Sequence, residues 1–334
     1  MGGKPLVQER QNASQQFYPR WKAGKHALIH KGSKPECILG TGGAMSRNFF
    51  MSQVYAFLTV LLWSSAYVFT KIALESFSFA SLALLRCGVA SLCLAGILAV
   101  RKGPFPGVTS LPWFAVSGAA GFALYILVFN MGSVSLNPTT SCVIISTSPI
   151  ITALLAQLFF KEDLGPLRWV ALVLAFCGIL VMTLWDGSFS ISDGTVWMLA
   201  AAICISAYNI MQRLLARRFE PLTITAYSFF AGTLLLAPFT PGAVEQLGSA
   251  PASHLWLVIF LGACPSALAY VLWTKALSIA PTTGNVSNYM FMTPFMALLL
   301  EYGVTDNLPG FATFAGGGII MASLGIFIWA SRRA

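Results

Sequence analysis

Two stretches of the chain decide how the rest is read: "NPTTSCVIISTSPIITALL" at 137–155 and "APTTGNVSNYMFMTPFMALLL" at 280–300. Each opens on Pro-Thr-Thr, reaches a Ser/Thr-Pro pair about ten residues later, and then turns wholly apolar. A third pair of words lies in the same order. Ser65-Ala66-Tyr67 recurs as Ser206-Ala207-Tyr208, an offset of 141; Pro138-Thr139-Thr140 recurs at 281–283, an offset of 143; and Ser148-Pro149 recurs as Thr293-Pro294, an offset of 145. Three ordered anchors with a slow drift describe one unit of about 143 residues used twice.

Composition says what kind of unit it is. Of the 334 residues, 57% are hydrophobic and 9% charged, against about 25% charged in an ordinary soluble domain. So few charges cannot cover an aqueous surface, and the fold class is an all-α polytopic membrane protein whose bulk partner is the lipid bilayer. A window of about 20 apolar residues gives ten spans: 52–72, 79–100, 112–134, 139–160, 167–185, 194–213, 221–240, 255–278, 284–304 and 310–331. Ten spans in two copies is five per copy. Because five is odd, the second copy enters the membrane from the opposite face, so the halves are inverted repeats. That arrangement is the sequence signature of secondary transporters, which hold substrate near the midplane between the repeats. The expected domains are a first repeat over 45–186 and a second over 194–334.

Charge placement sets the expected orientation. Arg47, Arg101, Lys102, Lys161, Arg168, Arg213, Arg217, Arg218, Lys275, Arg332 and Arg333 fall at one set of span ends, whereas the loops "DGSFSISDG" and 240–253 contain no Lys or Arg and only Lys71, at the end of the first span, falls on the other side. Loops rich in Lys and Arg stay cytoplasmic, which places both termini in the cytoplasm of a plasma membrane, a bacterial inner membrane being the expected setting. The net charge of +9 does not read as a nucleic-acid surface. Residues 1–44 hold seven basic residues (Lys4, Arg10, Arg20, Lys22, Lys25, Lys31 and Lys34) against Glu9 and Glu36, a net of +5, and the other +4 is spread over loops. This segment lacks the apolar stretch of a signal peptide and reads as a disordered basic extension ahead of the natural-looking start "MSRNFFMSQVY" at Met45.

At this point the chain resembles a known family. "LLWSSAYVFTK" at 61–71, "LALLRCGVAS" at 82–91 and the Ser/Thr-Pro spans followed by an acidic turn are similar to the drug/metabolite transporter superfamily, and within it to the EamA-type ten-helix exporters. The resemblance covers about 47–333. It implies export of small organic metabolites, amino acids or amphipathic and aromatic compounds, by alternating access. It also carries departures: Ser64 stands where the family commonly has Gly after the Trp, and Lys161-Glu162 stands where its fourth helix often ends in Gly-Glu.

Candidate site residues follow from residue type and depth. A proline inside a helix frees a carbonyl and bends the chain, which lipid tolerates only where protein or a watery cavity satisfies the backbone. Pro149, Pro265 and Pro294 are therefore hinge or gating candidates, with a static packing kink as the alternative. Trp63, Tyr67 and Lys71 share one face of the first span, and Tyr270 and Trp273 one face of the eighth. With Tyr125, Ser148, Tyr208, Asn209, Asn288 and Tyr289 these polar and aromatic side chains suit a cavity for amphipathic solutes, and each has core packing as its alternative. Ionisable residues inside a span are functional candidates by default. Arg86, the deepest, either holds a substrate carboxylate or braces backbone carbonyls. Glu301 and Lys71 are coupling candidates, expected near the outer ends of their spans, where snorkelling to the interface is the other reading.

Several chemistries are not expected. There is no Walker A sequence or Gly-rich dinucleotide fingerprint. Cys87, Cys93, Cys142, Cys177, Cys204 and Cys264 lie singly in apolar runs, and His26, His30 and His254 lie in the tail and a loop. No metal, no cofactor and no catalytic role is expected, and the partner is a small-molecule substrate handled by a monomer or homodimer. Two other readings stay open: a nucleotide-sugar or lipid translocator of the same fold and, further off, an intramembrane enzyme.

Overall fold

The computed structural model describes residues 42–103, 105–160, 165–184, 192–279, 286, 288–306 and 308–333. Most of the basic extension, the second Pro-Thr-Thr at 281–283 and the Lys161-Glu162 turn lie outside the described residues. Ten helical segments follow one another: α1 (Gly42–Ala73), α2 (Phe79–Arg101), α3 (Val108–Ser135), α4 (Pro138–Phe160), α5 (Pro166–Leu184), α6 (Asp193–Leu215), α7 (Pro221–Ser249), α8 (Ala252–Ile279), α9 (a 3-10 turn at Asn288–Met292, then Thr293–Thr305) and α10 (Phe311–Arg333). Eight of them are long and apolar enough to cross a membrane as single spans. The apolar run of α5 is shorter, Pro166–Val181, and the regular part of α9 has 13 residues. The chain is an all-α, multi-pass membrane protein.

The connections are short because the helix ends are capped locally. Ser78, Asn137 and Ser192 each precede a helix and accept a hydrogen bond from the backbone N–H three residues on, satisfying donors that no earlier turn can use. Pro138, Pro166 and Pro221 occupy first helical positions, where a missing N–H costs nothing. Two boundaries differ from the expected ones. The described part of α1 already starts at Gly42, ahead of the expected span at 52. The segment expected as a loop at 240–253 is largely helical, Thr240–Ser249, since Pro241 starts a new turn and Ala243 is buried.

Exchanging the two halves (α1 with α6, α2 with α7, α3 with α8, α4 with α9, α5 with α10) reproduces the packing. α3 crosses α7 at Gly118, where an added Cβ would lie 2.3 Å from the Ser228 carbonyl oxygen; α8 crosses α2 at Gly262, where it would lie 2.9 Å from the Arg86 carbonyl oxygen. Irregularities repeat too. α3 contains a π-helical turn at Ala119–Leu124 and α8 one at Cys264–Leu268. α4 stops at Ile145 and restarts at Ser148, and α9 changes from 3-10 to α at Thr293. Pro149 and Pro294 thus sit in the first turn of a restarting helix rather than inside a continuous one, and Pro265 lies in the π turn. α5 and α10, which exchange with each other, pack through small residues: a Cβ on Gly178 would meet the Gly316 carbonyl oxygen at 2.8 Å.

Close backbone contact of this kind gives a direct test. Gly118→Ala forces α3 and α7 apart against backbone atoms, at a cost of about 1–3 kcal/mol. Gly318, around which nothing lies within 4 Å, accepts alanine without loss. Thermal unfolding of the detergent-solubilised protein should fall for the first variant and hold for the second.

Candidate functional site

Arg86 lies two turns into α2, with 8% of its surface exposed. Its Nε donates to the Ser266 hydroxyl at 2.8 Å, and that hydroxyl donates to the Leu261 carbonyl at 2.8 Å. The Leu261 bond spans five residues, so it is the π turn of α8 that turns Ser266 towards α2. The hydroxyls of Tyr125, Tyr270 and Tyr67 lie within electrostatic range of the guanidinium. Tyr67 shares a buried cluster with Cys142 and packs edge-on against Phe129 at 5.3 Å, with Tyr125 also against Phe129 at 5.8 Å. Trp63 meets Tyr270 at 5.6 Å and Trp273 at 5.3 Å. Six of the sequence-derived candidates, Trp63, Tyr67, Arg86, Tyr125, Tyr270 and Trp273, are therefore brought together by α1, α2, α3 and α8.

The others are distributed differently. Tyr289 packs in a cluster with Trp273 and Val286. Tyr208 is fully buried between α3 and α6, its ring 5.0 Å from Phe122 and pressed on Gly121, which makes it a packing residue of that crossing. Asn209 donates to the Thr152 hydroxyl at 3.3 Å. The side chain of Asn288 lies outside the described residues.

Ser148 acts through its backbone. The Ser148 carbonyl lies 2.9 Å from the Ser206 hydroxyl on α6, whose single hydrogen it shares with the Ala202 carbonyl at 2.6 Å, and the Ser64 hydroxyl on α1 donates to the Thr293 carbonyl at 3.0 Å. The Ser148 and Thr293 carbonyls each precede a proline, both serines are fully buried, and each of these two contacts joins one half of the chain to the other. Sequence reading passed over Ser64, Ser206 and Ser266, although two signals pointed to the first pair. Ser206 opens the repeated Ser-Ala-Tyr word, and Ser64 is the residue that departs from the family's glycine.

Glu301 and Lys71 lie near the ends of α9 and α1, Glu301 buried and Lys71 half-buried. Glu301 is 3% exposed and accepts from the backbone N–H of Thr139 at 2.8 Å and from its hydroxyl, so a carboxylate sits on the positive N-terminus of α4. Lys71 donates to the Ser133 and Val134 carbonyls at 2.9 and 2.6 Å, so an ammonium closes the negative C-terminus of α3. The two charges interact across the α3–α4 turn, and Thr140 meets Thr313 at 2.9 Å beside them. Helix ends offer both charges partners of fixed direction within the protein.

Comparison with known proteins places this geometry. The profile of the EamA-like transporter family matches twice, over residues 50–184 and 193–329. The chain belongs to the EamA-like transporter family. Among relatives, a protein of Streptantibioticus cattleyicolor described as a probable terminal-alkyne amino-acid exporter is 29% identical over 273 residues, covering 80% of this chain and 90% of that one. An uncharacterized transporter of Bacillus subtilis is 24% identical, covering 80% and 87%. An S-adenosylmethionine uptake transporter of Rickettsia conorii is 25% identical, covering 63% and 71%. A crystal structure with 18% identity superposes with a TM-score of 0.57 over 84% of this chain and 97% of that one, a likeness of fold. For this EamA-like protein, two matches on either side of 185–192 agree with the doubled irregularities of α3, α4, α8 and α9.

The cap formed by Glu301 is testable apart from transport. Glu301→Ala leaves the buried Thr139 N–H without a partner, which costs about 1–3 kcal/mol, whereas Glu301→Gln keeps an acceptor and loses less. A fall in melting temperature graded Ala below Gln below wild type is expected.

Proposed function

We propose that this EamA-like protein is a secondary transporter that exports small organic metabolites, amino acids among them, across a bacterial plasma membrane by alternating access, with both termini cytoplasmic. The observation that carries the reading is the pair of cross-half hydrogen bonds at the Ser148 and Thr293 carbonyls. They fix two broken helices, equivalent under exchange of the halves, against the opposite half at mid-depth. Such breaks are tolerated in lipid only where protein or a watery cavity takes the backbone, and inverted repeats with broken helices hold substrate where the halves meet. Two relatives support the substrate class through their names, one for an amino acid and one for S-adenosylmethionine, an amino-acid derivative. The positive-end distribution of Arg101, Lys102, Arg213, Arg217 and Arg218 supports the orientation.

In this reading Glu301, with Lys71 beside it, is the group that couples transport to a proton gradient, because it is the carboxylate buried within a span. The test is counterflow in proteoliposomes loaded with a panel of radiolabelled amino acids and aromatic metabolites. Exchange of at least one member is expected, and a protein that exchanges none, or takes only nucleotide-sugars, overturns the reading. Glu301→Gln should lose acceleration by a pH gradient while retaining exchange; gradient dependence equal to wild type removes the coupling role from Glu301.

A further inference from the structure

We infer that Arg86 is the specificity-determining residue for a substrate carboxylate and that Ser266 is the positioning residue which presents it; this rests on the transport reading above. Arginine presents five donors in a planar fork. In this protein one of them, the Nε–H, is committed to Ser266. Among the described residues no carboxylate lies within ion-pair distance of the guanidinium, although the group is 92% buried (100 − 8). Tyr125, Tyr270 and Tyr67 lie within electrostatic range of it, and as neutral phenols they do not cancel its charge. The buried carboxylate of the second half, Glu301, is already held by Thr139 on α4.

A structural brace has a different form. Lys71 shows it in the same molecule, with its ammonium on two helix-end carbonyls. Arg86 instead makes one side-chain bond, through the nitrogen at the back of the fork, which leaves the two terminal nitrogens aligned for a bidentate carboxylate. The Ser266 hydroxyl fixes the direction of the fork, because its own hydrogen is tied to the Leu261 carbonyl by the π turn. The Trp63, Tyr270 and Trp273 rings, which join this cluster through Tyr270, offer apolar faces for the body of the solute and a π surface for an ammonium. A second cation for a dicarboxylate is absent from this cluster among the described residues, so the geometry favours one carboxylate per substrate.

The experiment compares four probes that differ by one group: phenylalanine, phenylalanine methyl ester, phenethylamine and 3-phenylpropionate. They are scored as competitors of counterflow and as thermal stabilisers of the purified wild-type protein. The two acids should compete and stabilise, and the ester and amine should be at least tenfold weaker. Arg86→Lys, which keeps the charge but loses the fork, should weaken the acids roughly tenfold. Ser266→Ala should raise the KM for the acids several-fold while leaving the weak effects of ester and amine where they were, and Ser266→Thr should restore the acid preference. Equal potency of acid, ester and amine on the wild type overturns the assignment of Arg86, and a Ser266→Ala effect that is the same for all four probes overturns that of Ser266. If no probe undergoes counterflow, the transport reading fails, and selective stabilisation by the acids still supports Arg86.

Discussion

Lipid offers no hydrogen bonds, so every main-chain group that leaves a helix within the membrane has to find its partner inside the protein. The two hydroxyl-to-carbonyl contacts, Ser206 to Ser148 and Ser64 to Thr293, sit at the two places where the architecture breaks a helix. Carbonyls in the first turn of a helix already have partners in the next turn, so these contacts add a tie between the halves rather than pair an orphaned group. Pro149 and Pro294 occupy first-turn positions, where proline is favoured, and each restarting helix meets the other half of the chain at the carbonyl just before its proline. The π turns of α3 and α8 and the glycine crossings at Gly118 and Gly262 follow the same logic, bringing backbones close enough for short side chains to reach.

The doubled architecture was legible because it is written in residues with strong local meaning. Proline, a repeated Ser-Ala-Tyr and twenty-residue apolar runs survive a single pass along the chain, and they give the span count and the inversion. What was not legible is what lies one turn away in space and far away in sequence. Ser64 contacts a carbonyl 229 positions later, and Ser266 reaches Arg86 across 180. A serine in an apolar span has no periodicity to betray which neighbour it serves. The cap made by Glu301 was missed for a related reason: depth estimated from span ends treats the interface as the nearest polar place, whereas the buried N-terminus of α4 is nearer. Tyr208 shows the opposite limit, for a mid-span tyrosine is equally consistent with a cavity wall and with the packing role it has.

The three ionisable side chains inside the bundle illustrate three solutions to burial. Lys71 is answered by carbonyls at a helix C-terminus, Glu301 by donors at a helix N-terminus, and Arg86 by one serine and a ring of phenols. Helix ends answer charge well because their partial charges are fixed in direction. Phenols answer it only in part, which leaves Arg86 the member of the set whose environment is incomplete.

The Lys71–Glu301 pair has a further consequence when set against the exchange of halves. By the offsets of the repeat, the position equivalent to Lys71 is Gln212 and the position equivalent to Glu301 is Ala156. The Lys71–Glu301 pair is therefore not repeated at the two positions equivalent to it. A machine whose halves were identical would spend equal time facing each way, since each orientation would be the other turned over. Under the proposed alternating access, halves that differ at these positions need not give the two orientations one energy, and each 1.4 kcal/mol of difference is a tenfold preference. Lys71 and Glu301 are two places where the halves differ, so single substitutions there would shift such a preference while leaving the shared scaffold untouched.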